Sequence, residues 1–353
     1  MVMIYSAVHA VYLPTFQYDS ATNWTMRSKV SFEDKAIAFD PTEDRGVAKP
    51  QYPFLYHSLQ ITANLLNPSS GNILISSWSD RNANVILWLL TIATFATMFL
   101  LLREHTDSKR AIIILGLIFS TPLFAVHTAQ GYGDLNLAQC VLLSMAFVAA
   151  AHEEKRAERR HALWILSMLM AVAGAWTKSE GLFVTLLPWL GVFLWYQRRK
   201  SIQTILVRAF PVLLLSLPWY LFAITRGLRL SPHATDDVFS WHSEGLTLAM
   251  QGLFEHGSFG IAWYVILLFL LCATLSWWNK RNEMQAPMSM NLSLVLWGVY
   301  TTAFFLFVYL CTPNVEFLMN GQAFYRQLMI PCVQLILACG ILSTSVASEQ
   351  AEC

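Results

Sequence analysis

The chain has 353 residues, of which 56% are hydrophobic and 13% charged, with a formal net charge of +1 at pH 7. So apolar a composition, with its positive mean hydropathy, excludes an ordinary soluble domain and falls among polytopic membrane proteins. The near-neutral charge excludes the basic field that draws a protein onto nucleic acid, so no nucleic-acid partner is expected.

The chain opens MVMIYSAVHAVYLPTF. Without a positively charged leader or a small-residue cleavage site, this is a poor signal peptide. Its apolar stretch before Pro14 is shorter than the roughly 20 residues that cross a bilayer, and it reads as the outer end of a truncated first helix. Next comes YDSATNWTMRSKVSF, Tyr18 to Phe32. Asp19 to Phe32 is expected to be helical, with Asp19 near its start, where a carboxylate meets unpaired N–H groups and the positive end of the dipole. Asp19, Asn23 and Arg27 then share one face, and Trp24 is expected at headgroup depth. Arg27 and Lys29 are expected to fix this helix against lipid headgroups. Further on, Tyr52 and Pro53 in KPQYPFLYH anchor a loop.

Apolar runs follow at residues 85–102, 111–126, 135–151, 162–176, 182–197, 204–225, 260–278, 291–311 and 328–344. Backbone amides in hydrocarbon must bond within their own segment, so each run is expected to be a helix. Nine spans and a partial one give an all-α polytopic transmembrane bundle. With no internal repeat and no Gly/Ser linker, residues 1–353 read as a single domain.

The short loops divide by charge. Arg103, Lys109 and Arg110; Lys155, Arg156, Arg159 and Arg160; Arg198, Arg199, Lys200 and Arg208; and Lys280 with Arg281 lie on one side, against Lys178, Arg226, Arg229 and Arg326 on the other. The positive-inside bias makes the larger group cytoplasmic. Residues 14–84 are then the first extracytoplasmic loop. The turns near Asp134, Lys178 and Arg326, and the loop 226–259, face outside with it.

Those outer turns carry the polar chemistry. In GYGDLNLAQ, two glycines allow a tight turn and Asp134 follows at the mouth of a span. It caps the next helix, coordinates a metal or orients a polar head group, and spacing leaves all three open. WTKSEGL sets Lys178 and Glu180 in a short turn, suited either to the turn itself or to a phosphate and a sugar hydroxyl. Arg326 stands just before the last span, where the charge bias does not favour it. It is either an ion-pair partner of Glu316 or Asp134, or a bidentate grip on a phosphate. Cys140, Cys272, Cys311, Cys332 and Cys339 lie in apolar runs without zinc spacing and read as small core residues. The histidines show no HExxH, and His233 with Asp236 and Asp237 reads as a solvated loop.

These segments, in this order and on one face, resemble the integral-membrane glycosyltransferases of the C fold class (GT-C). The likeness is to bacterial relatives of protein O-mannosyltransferases and of the aminoarabinose and galacturonic-acid transferases that act on lipid A. A family pattern like WDAxxxWxxKAKxxY is similar to YDSATNWTMRSKVSF, with Asp19, Trp24, Arg27 and Lys29 in register. The family's YP resembles Tyr52-Pro53, GYADLPLA resembles GYGDLNLA, TKNEGL resembles TKSEGL, and the closing TP...R resembles Thr312-Pro313 and Arg326. The likeness runs from about residue 15 to residue 335. The chain departs from the family in its largely missing first helix and in the last outer segment, NVEFLMNGQAFYR.

The resemblance implies transfer of a sugar from a polyprenyl-phosphate donor to the hydroxyl of a glycolipid, polysaccharide or protein acceptor, at the outer face of a bacterial inner membrane. It implies Asp19 as the base, Arg326 and then Lys178 as phosphate cations, and Asp134, Glu180 and Tyr52 as substrate-binding groups. A divalent metal cofactor stays open. A transporter or flippase of a lipid-linked or small polar substrate is the rival reading, but that predicts charges near mid-membrane and inverted repeats. A non-catalytic membrane scaffold is the other.

Overall fold

The computed structural model describes residues 2–39, 50–66, 77–128, 130–228, 239–254, 257–280, 290–321 and 323–351. Lys49, Arg229, Arg281, Cys353 and the His233, Asp236, Asp237 segment lie outside the described residues.

Every regular element among the described residues is helical. In chain order these are α1 (Val2–Tyr12), a π-helical turn Ser20–Thr25 running into α2 (Met26–Asp34), α3 (Leu55–Leu66), α4 (Asp80–His105), α5 (Ser108–Ser120), α6 (Pro122–His127), α7 (Gly133–Glu153) and α8 (Ala157–Thr177). A second π turn, Leu182–Leu186, leads into α9 (Leu187–Gln197). It is followed by α10 (Ile202–Thr225), α11 (Ser243–Phe254), α12 (Ala262–Lys280), α13 (Met290–Leu310), α14 (Val315–Met319) and α15 (Phe324–Ala351).

Helices form over all nine predicted runs. Among the described residues, five are long and apolar enough to cross a membrane: Asp80–Glu104, Gly133–Glu153, Ile205–Thr225, Met290–Leu310 and Phe324–Ser343. They make this an integral, multi-pass membrane protein. Leu182–Gln197 and Ala262–Cys272 are apolar but shorter. The 111–126 run breaks into α5 and α6 at Thr121 and Pro122, because a proline lacks the N–H that would continue the ladder and its ring clashes one turn back. Its isolated position at the start of α6 costs nothing, since that N–H has no helical partner anyway. The segment after Tyr52-Pro53, expected as a loop, is the helix α3.

The centre is α7. It is apolar around its whole circumference, as a helix surrounded by other helices must be, and 83% of its apolar window is buried, against 78% for α15 and 24% for Ile205–Thr225. Small residues on α7 and α8, among them Ala138, Ala146, Ala171 and Ala175, are buried and let the two backbones approach. Ser144 and Ser167 donate to each other's carbonyls at 3.0 Å, and Trp189 Nε1 donates to Ser167 Oγ at 2.7 Å. Such interhelical bonds hold helices together where lipid gives no hydrophobic drive. The outer helices instead carry exposed apolar side chains, including Leu206, Leu214 and Leu221 on α10 and Leu267 and Leu271 on α12. Cys332 and Cys339 are buried as expected, while Cys272 on α12 is exposed, a correction to its core assignment. It sits on a face turned away from the bundle.

The turn between α7 and α8 meets the end of α4 at one end of the bundle. Arg159, at the start of α8, pairs with Glu104 at the end of α4 at 2.5 Å and with Glu154 at 3.2 Å. Asp134 begins α7 at the other end, a helix of 21 residues away, or about 30 Å at 1.5 Å per residue.

Candidate functional site

The six residues singled out in the sequence come together at that other end. Asp19 precedes the Ser20–Thr25 π turn, Asp134 lies in the first turn of α7, Lys178 caps the end of α8, Glu180 follows in the next turn, and Arg326 lies in the first turn of α15. Arg326 Nη2 donates to Asp19 Oδ2 at 2.5 Å, and Arg326 Nη1 lies 3.9 Å from Asp134 Oδ2. Lys178 Nζ donates to Asp134 Oδ1 at 2.8 Å and lies 3.1 Å from Glu180 Oε1. The guanidinium carbon of Arg326 sits 4.5 Å from the centre of the Tyr132 ring, a cation–π contact. Tyr52 lies beside Lys178, with Nζ 5.8 Å from its ring centre.

Asp134 is 1% exposed and makes no capping bond to the α7 backbone, so the capping alternative is not realised. Its carboxylate is spent on the two cations. Lys178, 4% exposed, is an ammonium taken out of water. Burial works against its charge, but Asp134 and Glu180 outweigh that and hold its pKa well above the ordinary lysine value. The pair with Glu316 does not form, because Asp19 takes the guanidinium instead. The oxygens of Asp134 face an ammonium and a guanidinium, the places a divalent ion would take. Among the described residues no group of three or more His, Cys, Asp or Glu side chains could hold a metal, so the residues present do not fit one.

The YDSATNW segment is built differently from the expectation. A π turn adds a residue per turn, so Asn23 still donates to Asp19 while Arg27 rotates off that face and into the interior. Arg27 is 1% exposed. Its guanidinium donates to the carbonyls of Ala38 and Tyr52, at 2.9 and 2.6 Å, and lies against the rings of Phe54 and Trp219. It therefore pins the Tyr52-Pro53 loop rather than meeting headgroups, whereas Lys29 is exposed as expected. Burial lowers the Arg27 pKa to about 9, which leaves it charged at neutral pH.

Trp24, expected at headgroup depth, is 2% exposed. Its ring is stacked between Tyr52, at 5.0 Å, and His57, at 5.7 Å. The GYGD turn closes on it. Gly131, at φ +66°, turns its carbonyl to accept from Tyr56 Oη and from Ser20 Oγ, the latter at 2.9 Å, which ties the residue after Asp19 to the start of α7. At Gly133 a Cβ would land 2.6 Å from Trp24 Cη2. With both faces of Trp24 covered, Gly133→Ala is expected to cost about 1–3 kcal/mol by overpacking, seen as a lower unfolding midpoint in detergent. An unchanged midpoint would show that the ring has room to move.

His57 packs under this stack. Burial first, then the Arg27 cation, hold its pKa well below the ordinary 6.5, so it is neutral. Its Nδ1 lies 3.1 Å from the Trp24 carbonyl and its Nε2 3.4 Å from Arg27 Nη1. Below a pH of about 6.5 the unfolded chain takes up a proton here that the folded chain refuses, so stability falls as pH drops, by up to about 1.4 kcal/mol per pH unit from this group. The unfolding midpoint of His57→Gln, followed from pH 7.5 to 5, is expected to fall less steeply than that of the wild type. Equal slopes would place the acid sensitivity elsewhere.

Two residues that the sequence did not mark complete the cluster. Gln327 Nε2 donates to Glu180 Oε1 at 3.0 Å, and Tyr309 Oη donates to Gln327 Oε1 at 3.0 Å. Tyr309 gave no sign within its apolar run, and Gln327 could have been noticed only as a polar residue beside Arg326. Buried groups are also left over: Arg326 Nε and Nη1 and Glu180 Oε2 make no hydrogen bond among the described residues. Two cationic donors and a carboxylate oxygen so placed are equipped for a ligand with an anionic part and a hydroxyl part.

Two solved structures share the fold. ArnT from Cupriavidus metallidurans, in the apo state and bound to undecaprenyl phosphate, matches in each case with a TM-score of 0.63 and 14% sequence identity, over 96% of this chain and 58% of that one. This chain thus spans a little over half the length of the proteins it matches, and the likeness is one of fold. No family model matches the sequence, and no curated protein does.

Proposed function

We propose that this protein transfers a sugar from a polyprenyl-phosphate donor to an acceptor hydroxyl at the membrane face that carries the Asp19–Arg326 cluster, with inversion at the anomeric carbon. The observation that carries the proposal is Arg326: a half-buried guanidinium that pairs with Asp19 and whose buried Nε and Nη1 make no hydrogen bond among the described residues. The motif resemblance to GT-C enzymes and the fold shared with a protein seen bound to undecaprenyl phosphate support the same reading. We place the cluster on the outer face of a bacterial inner membrane, since the Glu104 and Arg159 turns, with their neighbouring cations, lie at the opposite end of α7.

A lipid-linked donor keeps its tail among the helices and its phosphate at the interface. Arg326 grips that phosphate. Lys178, already shared by Asp134 and Glu180, supports it from behind rather than binding directly. In-line displacement sets the acceptor oxygen and the leaving oxygen on opposite sides of the anomeric carbon, so the Asp19–Arg326 contact belongs to the resting enzyme and opens as phosphate replaces the carboxylate. Asp19 then accepts the proton of the acceptor hydroxyl as its oxygen bonds to the anomeric carbon. The bond from that carbon to the phosphate oxygen breaks, and polyprenyl phosphate leaves with the electron pair, its charge stabilised by Arg326.

The test is reconstitution into vesicles with labelled polyprenyl-phosphate sugars and glycolipid or peptide acceptors. Label is expected to move to an acceptor, and Arg326→Gln to raise the donor concentration for half-maximal rate about 10- to 100-fold, the range of a lost charged hydrogen bond. Movement of intact donor across the bilayer without transfer would instead establish the flippase reading.

A further inference from the structure

Glu180 is asymmetric. Its Oε1 is held by two donors, Lys178 Nζ at 3.1 Å and Gln327 Nε2 at 3.0 Å, while its Oε2 is buried and makes no hydrogen bond among the described residues. The asymmetry is enforced from behind. Gln327 can offer Glu180 either end of its amide, and an oxygen there would face the carboxylate acceptor to acceptor. The carboxylate, which only accepts, takes the NH₂ end, and the Tyr309 hydroxyl, 3.0 Å from Gln327 Oε1, gives the remaining amide oxygen its donor and holds the amide in that pose. Both supports are buried, Tyr309 at 2% and Gln327 at 8% exposure, at the end of α13 and in the first turn of α15. They sit on rigid elements rather than on a loop.

We infer that Tyr309 and Gln327 are a positioning pair that turns Glu180 Oε2 toward a hydroxyl of the donor sugar and so sets which sugar the enzyme accepts. The inference rests on the glycosyl-transfer reading above and deepens it. The cluster runs in order from Asp19 through Arg326, Asp134 and Lys178 to Glu180 and Gln327. Asp19 at one end serves the acceptor and Arg326 the phosphate, which leaves Glu180 at the far end for the sugar that hangs from that phosphate. A buried carboxylate oxygen without a donor is costly, and a sugar hydroxyl in that place satisfies it. A sugar lacking that hydroxyl leaves the oxygen bare, the arrangement by which polar sites reject analogues most strongly.

The experiment measures binding and transfer together for a panel of polyprenyl-phosphate hexoses and pentoses, their single-deoxy analogues, and bare polyprenyl phosphate. The wild type is expected to prefer one parent sugar over one of its deoxy analogues by about 10- to 100-fold in affinity and in KM. In Gln327→Met that preference is expected to fall below about threefold, and in Tyr309→Phe to fall part of the way, with affinity for bare polyprenyl phosphate unchanged. The unchanged affinity shows that the variants fold. A wild type that discriminates against no deoxy analogue, or variants that keep the full discrimination, overturns the inference while leaving transfer intact. A wild type that transfers no sugar overturns the transfer reading instead, and the binding preference still decides whether Gln327 and Tyr309 set sugar selection.

Discussion

Asp19→Asn is expected to lower kcat about 10²- to 10⁴-fold, the usual worth of a positioned general base, with little change in KM for the donor. The substitution keeps the shape of the side chain, and its remaining carbonyl can still accept from Arg326 and Asn23, the two partners of Asp19. The donor's cation therefore stays in place while the proton acceptor is lost. The Asp19 side chain is 30% exposed, so the pair it breaks is partly screened and folding stability is expected to change by no more than about 1 kcal/mol. That combination separates a base from a strut. The assay is transfer in reconstituted vesicles beside an unfolding curve of the same preparation, and full turnover in the variant removes Asp19 from the chemistry.

Asp134→Asn is expected to show the opposite pattern, a loss of folding stability of about 3–5 kcal/mol, typical when one member of a buried pair is removed. Asp134 and Lys178 have side-chain exposures of 2% and 5%, so solvent cannot take over the charge left behind. Attraction between them offsets the cost of burying each, and without Asp134 the ammonium keeps only Glu180, 3.1 Å away. The double variant Asp134→Leu with Lys178→Met removes both buried members, leaving without a cation only Glu180, which keeps Gln327 and some solvent, and is expected to be more stable than Asp134→Asn. Denaturant unfolding in detergent reads both. A variant Asp134→Asn as stable as the wild type would falsify the view that this pair holds α7 to the end of α8.

Much of the fold was legible because it is local. The length of an apolar run and the need of its amides for partners place a helix with no knowledge of its neighbours, and helices do form over all nine runs. The six candidate residues also converge in one cluster. What was misread depended on surroundings. Arg27 looked like a headgroup contact because exposed arginines near a membrane usually are, yet it is buried beside the Tyr52 loop, as is Trp24. The stack of Tyr52 and His57 on Trp24, and of Phe54 and Trp219 around Arg27, is contributed by distant segments. Spacing carries no trace of these neighbours.

By itself the sequence determined that this is an all-helical membrane chain with its polar turns on one face, since run length, loop charge and hydrocarbon's intolerance of bare amides act segment by segment. Only the tertiary structure decided which charge answers which: Asp19 with Arg326, 307 positions apart, Asp134 with Lys178, 44 apart, and Tyr309 through Gln327 to Glu180. In an interior without water, a charge must find its partner among whatever the fold brings within about 4 Å, and that proximity is a property of the packed bundle, not of any one segment.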